Sequence, residues 1–307
     1  MQSPSVTVVI PTRNRVEPLI RCLEQLVPYV RNESGCEIIV SDDGDAQQTA
    51  AKLGAELADV RVVQGPQRGP AANRNYGASQ GTGDLIVFLD DDCLPEKDLI
   101  AVYRQASVEH EEIGVFEGRI SAIGTAAGFA DSSPVNETGG SLWSCNFAVR
   151  RKVFEAIGGF DERYPFPAME DVDIRVRLLK VARIRFQQDA RVHHPYELRV
   201  GWRVVQHHAL SLLLYLQIHG VAATRLNARY FVKNALRLLR GNLLNAHGPN
   251  RWKHLRQLWF VAWENVQAMK VLRARPDDKG IYRRLYKPCC DQCEQLLARL
   301  ESTAKNY

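Results

Sequence analysis

Three carboxylates in a row, Asp90-Asp91-Asp92, follow directly on the apolar run Leu85-Ile86-Val87-Phe88-Leu89. Such a run reads as a strand buried on both faces, so the acids stand at its carboxyl end. In open α/β sheets ligands collect beyond that end, and adjacent carboxylates there repel one another unless they share a cation. The chemistry implied is a divalent metal carrying phosphates.

Other segments end in polar groups of the same kind. Pro11-Thr12-Arg13-Asn14 follows Val6 to Ile10, and Ser41-Asp42-Asp43-Gly44 follows Glu37 to Val40. Carboxylates at strand tips accept hydrogen bonds from ribose hydroxyls or a base N–H, although Asp42-Asp43-Gly44 taken alone is more often a turn or a helix cap. In Arg68-Gly69-Pro70-Ala71-Ala72-Asn73-Arg74-Asn75 the Gly-Pro start of a helix aims free backbone N–H groups at an anion, one wall of a diphosphate pocket with Arg68 and Arg74 beside it. No Gly-Lys-Ser/Thr and no set of three spaced glycines accompanies it, which argues against P-loop kinases and dinucleotide-dependent dehydrogenases. Glu170-Asp171-x-Asp173 opens a further helix; acids there are catalytic candidates or only caps and dipole partners worth about 0.3–1 kcal/mol. Trp143 and Asn146 pair an aromatic with an amide, suited to stacking on and hydrogen-bonding an acceptor sugar, or to a place in the core.

For these tips to share one edge, the strands that carry them must run parallel. Strand-like Val6 to Ile10, Glu37 to Val40, Val60 to Gln64 and Leu85 to Leu89 alternate with helix-like Val16 to Leu26, Ala46 to Ala58 and Pro70 to Ser79. That βαβ spacing predicts a Rossmann-like, mainly parallel α/β sheet flanked by helices. Beyond Pro95 we expect a helix to about His110, a strand Gly114 to Ile120, a mobile Gly/Ala/Ser-rich loop Ser121 to Gly140, short helices Arg150 to Ile157 and Val172 to Leu179, and a strand Arg183 to Phe186. From Trp202 the pattern is helical, with breaks near Gly241, Gly248-Pro249 and Pro276. The expected division is a catalytic domain over residues 1–200, with acceptor-side elements from about 121, and a basic helical region over 201–307.

Together these segments resemble the family-two glycosyltransferases of the GT-A fold. The resemblance spans about residues 4–195 and rests on Val8-Val9-Ile10-Pro11-Thr12-Arg13-Asn14, Val40-Ser41-Asp42-Asp43-Gly44, Arg74-Asn75-x-Gly77, Phe88-Leu89-Asp90-Asp91-Asp92-x-x-Pro95, Asn146-x-Ala148-x-Arg150-Arg151, Gly158-Gly159-Phe160-Asp161-Glu162 and Glu170-Asp171-x-Asp173. It implies an inverting enzyme, dependent on Mn2+ or Mg2+, that moves a sugar from a UDP-, GDP- or dTDP-type donor to an acceptor hydroxyl in cell-surface glycan, glycolipid or secondary-metabolite synthesis. It further implies that Pro11, Thr12 and Arg13 line the nucleotide pocket and that Asp42 or Asp43 contacts base or ribose. Asp92 would bind the metal, with Asp90 nearer the ribose or a metal-bound water and Asp91 a solvated neighbour. Asp171 would be the general base and Glu170 would orient the acceptor. A third metal ligand would come from His193-His194, His193 ahead of His194, with a structural histidine as the equal alternative.

The formal charge of +5 hides an asymmetry: residues 201–307 hold 18 Lys and Arg against 6 Asp and Glu, so the remainder is acidic. Arg225, Arg229, Tyr230, Phe231, Lys233, Arg237 and Arg240, then Arg251, Trp252, Lys253, Arg256, Trp259 and Trp263, mix cations with aromatics at helical spacing. One reading is a cap on the catalytic domain; the other is peripheral contact with anionic lipid, suited to a lipid-linked acceptor. The alternatives are a nucleotide-sugar-binding protein without turnover and, ranked last, a nucleic-acid-binding protein through the basic tail; nucleic acid is not an expected partner, because an acidic cleft repels phosphates unless a metal intervenes. The lead-in Met1 to Ser5 has no leader pattern, so the expected location is the cytoplasm, or the inner face of the membrane. Seven scattered cysteines read as reduced thiols, and Cys289-Cys290-x-x-Cys293 as half of a zinc site with no second pair following it.

Overall fold

The apolar run Leu85–Leu89 forms strand β4, and its packing explains why the run is unbroken: Leu85, Val87 and Leu89 enter one core cluster while Ile86 and Phe88 enter another on the opposite face. Burial on both faces removes the polar alternation of a half-exposed strand. The computed structural model describes residues 3–31, 33–126, 130–199, 201–220, 251–273 and 280–302, with positions 229, 232, 233 and 236. The chain divides into two compact units, the first comprising Met1–Gly124, Ser133–Pro165 and Glu170–Pro195, the second Thr125–Ser132, Phe166–Met169 and Tyr196–Tyr307.

In the first unit, strands β1 (Val6–Thr12), β2 (Cys36–Asp42), β3 (Val60–Gln64) and β4 are joined by helices α1 (Val16–Val30), α2 (Ala46–Leu53) and α3 (Pro70–Gln80). The short β5 (Leu94–Pro95), α4 (Leu99–Glu109) and β6 (Ile113–Ile123) follow. After β7 (Asp131–Ser132), which belongs to the second unit, come β8 (Asn146–Arg150), α5 (Arg151–Ala156), α6 (Glu170–Leu178) and β9 (Arg183–Pro195). The sheet order is β3-β2-β1-β4-β8-β6-β9-β5. Its first four strands are mutually parallel, so the ends of β1, β2 and β4 reach one edge; β8 then runs antiparallel to both β4 and β6. Phe88 anchors the second core, with Phe147, Phe154 and Phe160 centred 5.1–5.4 Å from it.

Two local expectations change. The strand foreseen at Arg183–Phe186 continues to Pro195, because the segment pairs in parallel with β6 on both sides of a bulge, through Gln187 and again from Arg191 to Pro195. The loop expected to be mobile is tied down where it is described: β6 extends to Ile123, Ile120 bridges Asn136, and the buried Glu117 carboxylate accepts the N–H groups of Gly140, Ser141 and Leu142.

The second unit pairs β7 with β10 (Glu197–Leu198) and contains α7 (Trp202–His219), α8 (Arg251–Arg273), α9 (Ile281–Leu285) and α10 (Asp291–Ser302). Helix α7 packs against both α8 and α10, burying Val205, Ala209, Leu210, Leu213, Leu214 and Leu216. Among the described residues, no helix is long and apolar enough to cross a membrane. Arg225, Tyr230, Phe231, Arg237 and Arg240, and the breaks expected near Gly241, Gly248-Pro249 and Pro276, lie outside the described residues.

Candidate active site

The parallel strands deliver Thr12, Asp42, Asp43 and the acidic triplet to one edge, and Asn73 of α3 locks the first two tips together. Its amide donates to the carbonyls of Thr12 and Ser41 at 3.2 and 2.8 Å and accepts from the Ser41 hydroxyl at 2.6 Å. Asp42 is fully buried, accepting from the N–H groups of Asn14 and Gly44 and from the Thr49 hydroxyl. Asp43 accepts from the N–H groups of Gln67 and Gly69 at 2.8 and 3.1 Å and so shapes the turn into α3. That turn demands glycine at 69, where φ is +99° and a Cβ would stand 2.2 Å from the Pro165 carbonyl oxygen. Pro11 and Thr12 are buried, Arg13 is exposed, and Arg68 is exposed with an ion pair to Glu162 at 2.9 Å.

The three acids of the triplet differ. Asp90, only partly buried, accepts from Arg74 at 2.7 Å. Asp91 is not the solvated neighbour expected: it is buried, accepts from the Thr12 hydroxyl at 2.6 Å and lies 3.3 Å from Arg15, and burial pushes its pKa up to about 7 against those two partners. Asp92 is buried, with one oxygen 2.7 Å from Arg15 Nη2 and the other 3.1 Å from His194 Nε2. Burial works against its charge, but His194 and Arg15 outweigh it and hold the carboxyl well below the usual range.

His193, the histidine favoured from sequence, points elsewhere. It is half-exposed and meets Glu96 at 3.2 Å, while the buried His194 faces Asp92. Successive residues of a strand point to opposite faces, and β5 pairs with β9 at Leu94↔His193, which turns His194 toward the triplet. The Asp92–His194 separation is close to the ~3 Å edge between neighbouring ligands of an octahedral ion with ~2.1 Å bonds. A carboxylate and an imidazole suit Mn2+ or Mg2+, and the Cys93 thiol lies in the same cluster.

Arg74 connects the triplet to the second group of acids. Buried, it reaches Asp90 at 2.7 Å and Glu170 at 3.4 Å, and stacks over Phe160 at 5.6 Å. Its neighbour Asn75 holds the backbone N–H and carbonyl of Phe160, which joins the Arg74-Asn75 and Gly158-Gly159-Phe160 segments. Glu170 and Asp171 open α6. Burial, with Asp171 alongside, pushes Glu170 up to about 8 against the pull of Arg74. Asp171 is raised too, by burial first, against Arg74 and a hydrogen bond from Ser144; its Oδ1 is buried with no hydrogen-bond partner. A carboxylate with an elevated pKa and an unused lone pair is equipped to take a proton near neutral pH.

The acceptor candidates part company. Asn146 is fully buried and its amide is engaged throughout, accepting from Tyr103 Oη at 2.7 Å and donating to the carbonyls of Arg119 and Ala190 at 2.9 Å each. It cross-links the sheet and, with no exposed surface, is closed off from a sugar, a correction to the sequence reading. Trp143 is partly buried against the core, its indole donating to the Val135 carbonyl at 3.3 Å. Sequence reasoning missed Arg15 and Ser144 and, of the pair His193-His194, leaned towards His193; an Arg two residues past a strand-end Arg13 was the one available signal for Arg15.

Residues 7–158 match the model of the family described as "Glycosyl transferase family 2". The chain therefore carries a family 2 glycosyltransferase domain, and its fold is GT-A. Over 96 residues it is 33% identical to the "GalNAc(5)-diNAcBac-PP-undecaprenol beta-1,3-glucosyltransferase" of Campylobacter jejuni, covering 29% of this chain and 30% of that one. Alignments with other curated relatives reach from 16% to 56% of those proteins' length, so the chain spans at most little more than half of them. Among solved structures, the mannosyltransferase PcManGT of Pyrobaculum calidifontis, in complex with GDP-Man and Mn2+, superposes with a TM-score of 0.51 at 16% identity, covering 99% of this chain and 86% of that one. GalNAc-T7 with UDP, GalNAc and Mn2+ superposes with a TM-score of 0.55 at 17% identity, covering 69% and 48%.

Proposed function

We propose that this protein is an inverting glycosyltransferase that moves a sugar from a nucleotide-diphosphate sugar to an acceptor hydroxyl. The observation that carries the reading is Arg74, which spans Asp90 of the triplet and Glu170 beside Asp171. Donor-side and acceptor-side acids are thereby held in one rigid frame.

Asp92 and His194 would hold Mn2+ or Mg2+, with Asp90 as a further ligand or as a contact to the ribose. Held by these residues, a divalent ion would supply Lewis-acid stabilisation of the charge on the departing diphosphate. Pro11, Thr12, Arg13 and Asp43 would line the nucleoside pocket, with Asp42 buttressing it from within, and Arg68, just before α3, would exchange Glu162 for the diphosphate. Asp171 would take the acceptor proton at its free Oδ1 as the hydroxyl attacks the anomeric carbon. Glu170, protonated over much of the neutral range, would donate a hydrogen bond that orients the acceptor. A single displacement by one base inverts the anomeric centre. Release of nucleoside diphosphate from a panel of UDP, GDP and dTDP sugars, compared between the wild type and Asp171→Asn, tests this reading; a protein that binds donors without turnover releases none in either.

A lipid-linked or membrane-borne hydroxyl is the acceptor class that the surface of the second unit favours. On α8, Trp252, Trp259 and Trp263 are 73%, 62% and 51% exposed. At 100° per residue they fall with Lys270 within a stripe of about 40°. Lys270 lies 5.6 Å from the Trp263 ring, and Arg256 borders the stripe. Exposed indoles flanked by cations are the composition of a surface that rests on anionic lipid.

A further inference from the structure

The second unit contains a thiol cluster that the sugar-transfer reading does not use. Cys289 and Cys290 precede α10 and Cys293 lies in its first turn, while His207 comes from α7. Ligand atoms of all four lie within 4.8 Å of one another. His207 Nε2 is 3.5 Å from Cys289 Sγ, and Cys289 Sγ is 3.2 Å from Cys293 Sγ, with all three cysteines free thiols. In a tetrahedral zinc site with Zn–S near 2.3 Å and Zn–N near 2.0 Å, those edges come to about 3.5 and about 3.8 Å.

We propose that His207, Cys289, Cys290 and Cys293 form a structural zinc site that clamps α10 to α7. The sequence offered only the Cys-Cys-x-x-Cys half; the fold supplies the missing ligand from 82 residues away. Three further observations prepare the site. The His207 ring is stacked flat on Phe166, with centroids 3.8 Å apart and planes 1° apart, which fixes its orientation. The adjacent Gln206, fully buried, donates its amide to the Lys287 carbonyl and so fixes the chain just before the cysteines against α7. Cys290 stands at the N-terminal end of α10, its carbonyl accepting from the Glu294 N–H at 3.1 Å, which fixes its place at the start of the helix. Three thiolates and one imidazole leave no open position, so the site is structural and not catalytic, and its soft donors separate it from the oxygen-rich pair at Asp92.

The test is the metal content of the full chain purified under reducing conditions without chelator. One zinc per chain is expected, unchanged in Asp92→Ala and lost in Cys289→Ser/Cys293→Ser. Replacing zinc with Co2+ should give the intense visible bands of a tetrahedral ion together with thiolate-to-metal charge transfer, and His207→Ala should shift the visible bands. Stripping the zinc should lower Tm by roughly 5 °C or more. A wild-type chain without zinc that gives only the weak spectrum of octahedral Co2+ overturns the proposal, as does a tetrahedral cobalt spectrum that survives loss of both cysteines. Wild-type zinc content and the cobalt spectrum decide the matter even if the variants fail to fold.

Discussion

His194 Nε2 lies 3.1 Å from Asp92 Oδ1, both side chains almost completely buried, although they are 102 positions apart in the chain. The short β5 makes this meeting possible: by pairing with β9 it carries the end of the acidic triplet alongside the histidine. If the pair holds the metal, His194→Ala weakens Mn2+-dependent donor binding by at least roughly 10-fold. His193→Ala, which removes only a half-exposed contact with Glu96, leaves it within about 2-fold. Thermal shift with a sugar nucleotide and Mn2+ reads both; equal losses in the two variants count against His194 as a ligand.

Arg15 meets the same carboxylate from the other side, at 2.7 Å from Asp92 and 3.3 Å from Asp91. With a side chain 42% exposed, the guanidinium is a solvent-reached counter-ion that an incoming metal has to outcompete. Arg15→Ala is therefore expected to tighten binding of Mn2+ alone by roughly 2- to 5-fold, the range of a partly exposed ion pair. Electron paramagnetic resonance of free Mn2+ measures it, and weaker binding in the variant contradicts the competition.

The acids at the start of α6 predict a pH dependence. Glu170 is pushed up to about 8 and Asp171 is also raised, both by burial first, so the pair holds its protons to higher pH than ordinary carboxylates do. A base must be unprotonated, so kcat/KM is expected to fall as pH drops through the pair's elevated range, well above ~4. Glu170→Gln removes one of two mutually repelling acids and should move that acidic limb to lower pH. A limb that stays in place in the variant removes the link between the two.

The indole stripe of α8 makes a prediction of its own. Sedimentation with vesicles of anionic lipid should carry down the wild-type chain and not Trp252→Ser/Trp259→Ser/Trp263→Ser, whose folding is preserved because all three side chains are exposed. Neutral vesicles should bind less, and the binding should weaken with salt. Equal binding by the two proteins would assign the stripe no part in membrane contact.

Much of the donor side was legible because it depends on local pattern. The run Leu85–Leu89 announces a doubly buried strand, and the acids that follow it have nowhere to stand but the sheet edge. Asp171 was legible as a first-turn helix acid. What the chain did not disclose depends on register and distance. His193 and His194 are interchangeable until the pairing Leu94↔His193 decides which one faces inward. Asn146 looked like a sugar ligand because its type is polar, and only the fold reveals that it is fully buried and bonded to Tyr103, Arg119 and Ala190. The burial of Asp91 and the approach of His207 to Cys289 likewise come from elements far apart in sequence.

The central claim is that Asp171 removes the acceptor proton within a frame whose donor side it does not touch. Nucleoside diphosphate release from a responsive sugar nucleotide, measured with Mn2+ for the wild type and for Asp171→Asn, addresses it most directly. The account predicts that Asp171→Asn binds donor within about 2-fold of the wild type while release falls by roughly 10²- to 10⁴-fold. Release at the wild-type rate from Asp171→Asn would contradict it.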